Sequence, residues 1–347
     1  MAKQFRYMPV LRWKLNDRTG LLNVSATGGR GVAPLIQLWP KQYSGPRATK
    51  PKKGHTPLTA AEFFAKQVSD AWGVEPVYLD ASQLVDGSAH PLIDIAKAAS
   101  VGGLNIIPVV ELTSPVNYQV AAKKMAAASG SGIGLRISLP EMTAASAWVP
   151  KWPYPASDTD LIVDLGGSVA NVAALGVSVA NAFASLHSGS SWRTVTLIGC
   201  SIPTTLSGFS LGRTMLPRHE FILWRTLTTH GLPYRLDFGD YGSIAPGPPI
   251  EIEALVPINA KYSLPEKFAV FRGVKIKGPG AMPMSQQLRS YAKQIVALKP
   301  RHALKHCWAD GQIDAMHADP SFSVGNPGVW VGLNLNRHIE ITRHTLP

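Results

Sequence analysis

The chain has 347 residues, 45% of them apolar and 16% charged, a composition that excludes a disordered chain and suits a large buried core. Its two cysteines, Cys200 and Cys307, are too few for a disulfide framework or a cysteine-rich zinc site. Lysine and arginine outnumber the acids 34 to 22, a formal net charge of +12 that attracts polyanions and anionic metabolites at long range.

Eight short apolar segments alternate with helical ones over the first 245 residues, and most end on a polar or charged residue. They span residues 5–14, 32–40, 76–82, 104–113, 132–140, 160–168, 194–203 and 234–241. This repeat predicts an α/β fold, a (β/α)8 TIM-type barrel with its chemistry at the C-terminal ends of the strands. Between the strands, Thr59-Ala-Ala-Glu62 is a capping box that opens a helix over 60–72. Further amphipathic stretches predict helices over 90–100, 116–129, 169–186 and 213–230.

Side-chain alternation says which residues share a face. In 132–140, Ile133, Leu135 and Ile137 fall on the helix-facing side and Gly134, Arg136 and Ser138 on the other. By the same rule Tyr78 and Asp80, and Ile162 and Asp164, point inward. Arg12, Lys14, Gln37, Asp80, Glu111, Arg136, Asp164 and Asp237 are then expected around one mouth. Arg12, Lys14 and Arg136 suit phosphate or carboxylate oxygens, with Gln37 and Asp240 as further ligand-binding candidates. Glu111, Asp164 and Asp80 are the candidate catalytic carboxylates. Clustered carboxylates also suit Mg2+, although no cofactor is called for and zinc spacings are absent. The plainer alternative is a salt-bridge lattice that closes a polar barrel.

Lys41, Arg47, Lys50, Lys52 and Lys53 occur without an acid among glycines and prolines. They predict a flexible basic loop over the mouth, with Lys50, Lys52 and Lys53 as candidate nucleic-acid contacts or simply a solvated surface. Cys200 reads as a buried thiol, and Glu220 in Pro217-Arg218-His219-Glu220 suits a helix start. Asp240 in Phe238-Gly-Asp240-Tyr241-Gly242 also suits a loop cap. Trp308, Trp330 and His338 suit base stacking or, more plainly, a core.

Beyond residue 245 the pattern changes. Residues 250–256 alternate, 268–276 read as a strand, 285–298 as a helix, and 329–341 as a strand-like run. Residues 246–347 are expected to be an α+β elaboration packed on the barrel (residues 1–245) rather than an independent unit. No apolar run reaches membrane length and no signal-peptide pattern opens the chain, so the expectation is a cytoplasmic protein without a membrane partner.

The opening Tyr7-Met-Pro-Val-Leu-Arg12-Trp-Lys14 and Pro34-Leu-Ile-Gln37-Leu resemble the start of the phage beta-protein family. The resemblance continues through Ile107-Pro-Val-Val-Glu111-Leu, Leu135-Arg136-Ile, Asp164-Leu-Gly, Cys200-Ser201-Ile-Pro203 and Pro217-Arg218-His-Glu220. It runs on to Phe238-Gly-Asp240-Tyr241, Trp308-Ala-Asp310 and Gly325-Asn326-Pro-Gly-Val-Trp330. Gln37 stands where that pattern usually has Glu and Ile202 where it usually has Phe; the first change removes a carboxylate from the mouth and weakens a metal site. The resemblance implies a phage or antiviral-defence setting and no particular reaction. Two readings follow. One is an enzyme acting on an anionic, phosphorylated or nucleic-acid-derived ligand, such as a phosphodiester hydrolase. The other is a non-catalytic module that binds nucleic acid or a phage protein.

Overall fold

Runs rich in Val, Ile, Leu and Tyr, too short for helices, form the strands. The computed structural model describes residues 6–27, 29–44, 57–84, 89–174, 176–186, 191–248, 257–303 and 306–347. The first seven strands are β1 (Tyr7–Leu11), β2 (Leu35–Gln37), β3 (Val77–Asp80), β4 (Ile106–Glu111), β5 (Ile133–Ser138), β6 (Thr159–Asp164) and β7 (Thr194–Gly199). β8 (Gly212–Pro217) leaves the barrel, and β9 (Leu236–Asp240) closes it against β1. The result is a closed, all-parallel eight-stranded barrel with helices alternating between strands. Seven of the eight barrel strands fall inside the segments expected for them, and β6 begins one residue earlier, at Thr159.

Period two decides what each face meets. Leu135, Ile137, Leu161, Val163, Val77 and Leu79 pack outward in the large core beneath the helices. Met8, Val10, Leu35, Tyr78, Ile107, Val109, Ile162 and Ile198 fill the barrel interior. Register then sets heights. Gln37 lies beside Asp80, Glu111 beside Arg136, and Ser138 beside Asp164. These are strand ends, so they form one rim.

Asp237 does not join that rim. It is an inward residue near the start of β9, where it accepts from the Arg6 N–H at 3.1 Å and pairs with Arg235 at 2.9 Å. Asp160 occupies the same lower end, held by Tyr78 at 2.5 Å and Arg193 at 2.6 Å. The charge at this end is paired off.

Two expected elements change type in the structure, and the helix expected over 169–186 is two, Val169–Ala173 and Val177–Ser185. Residues 213–217 are a strand, not the start of a helix, and the helix is His219–Thr229. Pro217 cannot sit inside a helix, whereas the end of an edge strand tolerates it. β8 pairs with β11 (Lys267–Arg272), which pairs with β10 (Asn259–Ser263), as an antiparallel sheet. Residues 329–341 are not strand-like either. They lie within the helix Pro327–Thr345, capped by Asn326, whose side chain accepts from the Val329 N–H at 3.2 Å. This helix is buried almost all round, so apolar residues occur on every side and its helical period is blurred. Asn326-Pro327 was the legible signal, an N-cap followed by proline at the first helical position.

The helix Pro327–Thr345 crosses Leu15–Leu22 where two glycines meet. A Cβ on Gly20 would lie 2.7 Å from the Gly332 carbonyl oxygen. A second core, containing Tyr262, Phe271, Leu288, Tyr291, Trp330 and Leu333, joins the small sheet to the C-terminal helices. Residues 250–256 lie outside the described residues.

Candidate functional site at the barrel mouth

Arg136 is the hub of the rim. Its position two residues after inward-facing Gly134 aims it up the axis, and burial forces its donors to find acceptors. Nε donates to Asp164 at 2.9 Å, Nη1 to Asp80 at 3.2 Å, and Nη2 to the Tyr241 hydroxyl at 3.1 Å. With the Gln37 amide oxygen turned toward it, Gln37 accepts from Nη1 at 2.7 Å. Glu111 stands further off, 3.6 Å from Nη1. Burial works against the Arg136 charge, but Asp164, Tyr241, Asp80 and Glu111 outweigh it and raise its pKa.

The carboxylates are committed to different degrees. Asp164 also accepts from Tyr241 at 2.5 Å and from the Gly166 N–H at 2.8 Å. Asp80 accepts from the Ser82 hydroxyl at 2.6 Å and its N–H at 3.0 Å. Glu141 caps a helix by accepting from Ser138 N–H and hydroxyl, each at 2.7 Å. Among the described residues the Glu111 carboxylate has only the longer contact with Arg136, and its side chain is 41% exposed. Burial pushes its pKa up, Arg136 pulls it down, and Asp80, Glu141 and Asp164 push it up again, leaving it raised.

These groups open onto a cavity of about 850 Å3, walled by Trp39, Leu139, Leu165 and the Pro246–Gly247 turn. Among the described residues its charged lining is Asp80, Glu111, Glu141 and Asp164 against Arg136, so acid is in excess there. Among the described residues no group of three or more His, Cys, Asp or Glu side chains is arranged to hold a metal ion. The nearby acids surround a guanidinium instead.

Of the expected site residues, the structure brings together Gln37, Asp80, Glu111, Arg136 and Asp164. Arg12 lies beside this group, with Nη2 donating to the Ala245 carbonyl at 2.6 Å. Lys14 turns away as the residue preceding Leu15–Leu22, its N–H bonded to Asp17 at 3.0 Å. Trp13, in left-handed backbone at φ 58, makes that turn; its buried indole donates to Gln67 at 3.1 Å. Asp240 is not at the cavity. Asp237 and Gly239 take the inner face of β9, continued by Tyr241 just beyond it, which sends Asp240 outward. There it is buried against Tyr7 at 2.7 Å, Arg218 at 3.0 Å and His338 at 2.7 Å, and it caps the loop at Gly242 N–H, 2.9 Å. Lys50, Lys52 and Lys53 lie outside the described residues, and Lys41 stands in a short helix, Pro40–Ser44, rather than a loop.

Sequence reasoning passed over Tyr241, which bonds both Arg136 and Asp164. Alternation from Gly239 was the available signal. Most of the other marked motifs serve packing. Glu220, 1% exposed, is bonded to Ser201 and lies 3.4 Å from Arg218, and its pKa is pushed up to about 7 by burial, against the pull of Arg218. Asp310 is held by Arg337 at 2.8 Å and Tyr262 at 2.7 Å. Trp330 and His338 are core residues, and Cys200 is a buried thiol.

A family model described as Beta protein matches residues 7–343, nearly the whole chain, and the chain belongs to that family. No curated protein matches it. No helix among the described residues is long and apolar enough to cross a membrane.

Proposed function

We propose that this member of the Beta protein family is an enzyme in which Glu111 moves a proton to or from a small polar substrate held at the barrel mouth. One observation carries the reading. Of four carboxylates around the cavity, three are tied by short hydrogen bonds, while Glu111 is half-exposed and raised in pKa. A proton-transfer group needs that access and a value nearer neutrality. Arg136 acts as a positioning residue, because its fork is already filled by Asp164, Asp80, Gln37 and Tyr241.

The charge of the cavity bears on the substrate. A phosphodiester placed on Arg136 would have to displace aspartates and face excess acid. A reacting group that is uncharged or cationic meets no such cost. Hydrolysis or proton abstraction next to a polar bond suits this site better than cleavage of an anionic backbone. The net charge of +12 still favours polyanions at long range. The phage or defence setting is a context for the substrate search, not a reaction.

Thermal-shift screening tests the reading. Neutral sugars, nucleosides and amines, with and without a terminal phosphate or carboxylate, form one panel; short single-stranded DNA forms the opposing one. A stabilising member of the first panel, turned over by the wild type and not by Glu111→Gln, is the expected result. Stabilisation by the second panel alone, unchanged in Glu111→Gln, would overturn it.

A further inference from the structure

The small antiparallel sheet turns one face toward the barrel. Lys261 on β10 pairs with Val270 on β11, and Ser263 pairs with Phe268. Directly opposed residues share a face. Phe268 and Val270 pack with Cys200, Ile202 and Tyr241 in the inner core, whereas Ala260, Tyr262, Ala269 and Phe271 join the second core on the other face. Lys261 is therefore carried over the ends of β7 and β1, within electrostatic reach of Cys200 and Arg12.

Arg12 comes to the same place from the end of β1, tied to the Ala245 carbonyl. The Cys200 thiol lies 3.2 Å from the neighbouring Ile244 carbonyl. The next residues, Pro246 and Gly247, line the acidic cavity, so the two places adjoin. Tyr241 stands between them; its hydroxyl bonds Arg136 and Asp164, and it couples electrostatically to Arg12.

Among the described residues neither Arg12 nor Lys261 forms an ion pair. The carboxylate that reaches Arg12 most strongly, Asp17, is buried and bonded to the Lys14 N–H. Burial holds the Lys261 amine down at about 8; Cys200 opposes this, and the Arg12 charge adds a smaller downward push. Two partly desolvated cations with no direct ion pair among the described residues are costly, and an oxyanion placed there offsets that cost.

We propose that Arg12 and Lys261 form a subsite for a phosphate or carboxylate group, adjoining the acidic cavity and separate from Arg136. The subsite stands without the Glu111 reading. Joined to it, the substrate has an anionic end at Arg12 and Lys261 and a reacting end at Glu111.

The test is titration calorimetry with inorganic phosphate near pH 8.5, in buffers of differing ionisation enthalpy, with acetate as the carboxylate probe. Phosphate or acetate is expected to bind with proton uptake, because an anion restores the Lys261 charge. Lys261→Met and Arg12→Gln should each weaken binding about tenfold or more. Lys261→Arg should keep the affinity and lose the proton uptake, since arginine is always charged. Lys123→Ala, on the exposed side of its helix, should bind as the wild type does. No binding of either anion to the wild type, or equal binding by folded Lys261→Met, would overturn the subsite and leave the Glu111 reading standing. If Lys261→Met fails to fold, binding with undiminished proton uptake in Lys261→Arg overturns it.

Discussion

The Asp240 carboxylate and His338 Nε2 lie 2.7 Å apart, which ties the end of the last barrel strand to the C-terminal helix. A carboxylate only accepts, so Nε2 carries the proton, and Nδ1 accepts from the Ser263 hydroxyl at 2.7 Å. Burial lowers the His338 pKa, and nearby Arg218 adds to this against the opposite pull of Asp240. His338→Ala leaves a buried carboxylate with one partner fewer. Urea denaturation should show a loss of about 2–4 kcal/mol, while a loss below about 0.5 kcal/mol would deny the pair a role in stability.

Glu220 gives the fold a pH dependence of known sign. Its folded value is about 7 against an ordinary 4.5, so between these values the folded state holds a proton that the unfolded state gives up. Its contribution is therefore intact below about pH 4.5 and is lost as pH rises toward 7, by on the order of 3 kcal/mol at most. Glu220→Gln, neutral throughout, should flatten that part of the melting-temperature profile. An unchanged slope would assign the dependence to other groups.

Glu111 should set one limb of the pH–rate profile once a substrate is found. Because burial raises its pKa, that limb falls above the ordinary carboxylate range. Loss of the limb in Glu111→Gln, with activity down about 100-fold or more, is expected. A limb that survives the substitution belongs to another residue.

Gly239 is required by close packing inside the barrel. A Cβ there would lie 2.7 Å from Ile198 Cγ1 and 2.8 Å from the Met8 carbonyl oxygen. The backbone contact cannot move aside cheaply. Gly239→Ala should cost about 1–3 kcal/mol in chemical denaturation, and a neutral result would mean that β1 and β9 separate easily there.

Residues 246–347 are expected to be inseparable from the barrel. Without them Arg218 and Asp240 lose His338 and Thr342, and Ser25 loses its bonds to Glu340 at 2.6 and 3.1 Å. A chain ending at residue 245 should show no cooperative thermal transition. A sharp transition in that fragment would make the barrel an independent unit.

The barrel was readable because its evidence is local. Each strand carries its own alternation, and each short apolar run repeats the same message. The run 329–341 misled for the opposite reason: a helix buried on every side loses the contrast between its faces. The helix start was placed too early, at 213, although Pro217, which cannot sit inside a helix, marked the later boundary.

The mouth divides along the same line. Sequence alone placed Gln37, Asp80, Glu111, Arg136 and Asp164 on the inner face at one end, together with Arg12, Lys14 and Asp237, because period two is a property of each segment; it could not tell which of the eight would leave the rim. Only the tertiary structure decided that Arg136 meets Tyr241 across 105 residues of chain, that Asp240 faces outward to His338, and that Lys261, on a separate sheet, comes within electrostatic range of Arg12. Charge pairing acts through space, and no spacing along the chain encodes which distant partner will neutralise a buried group.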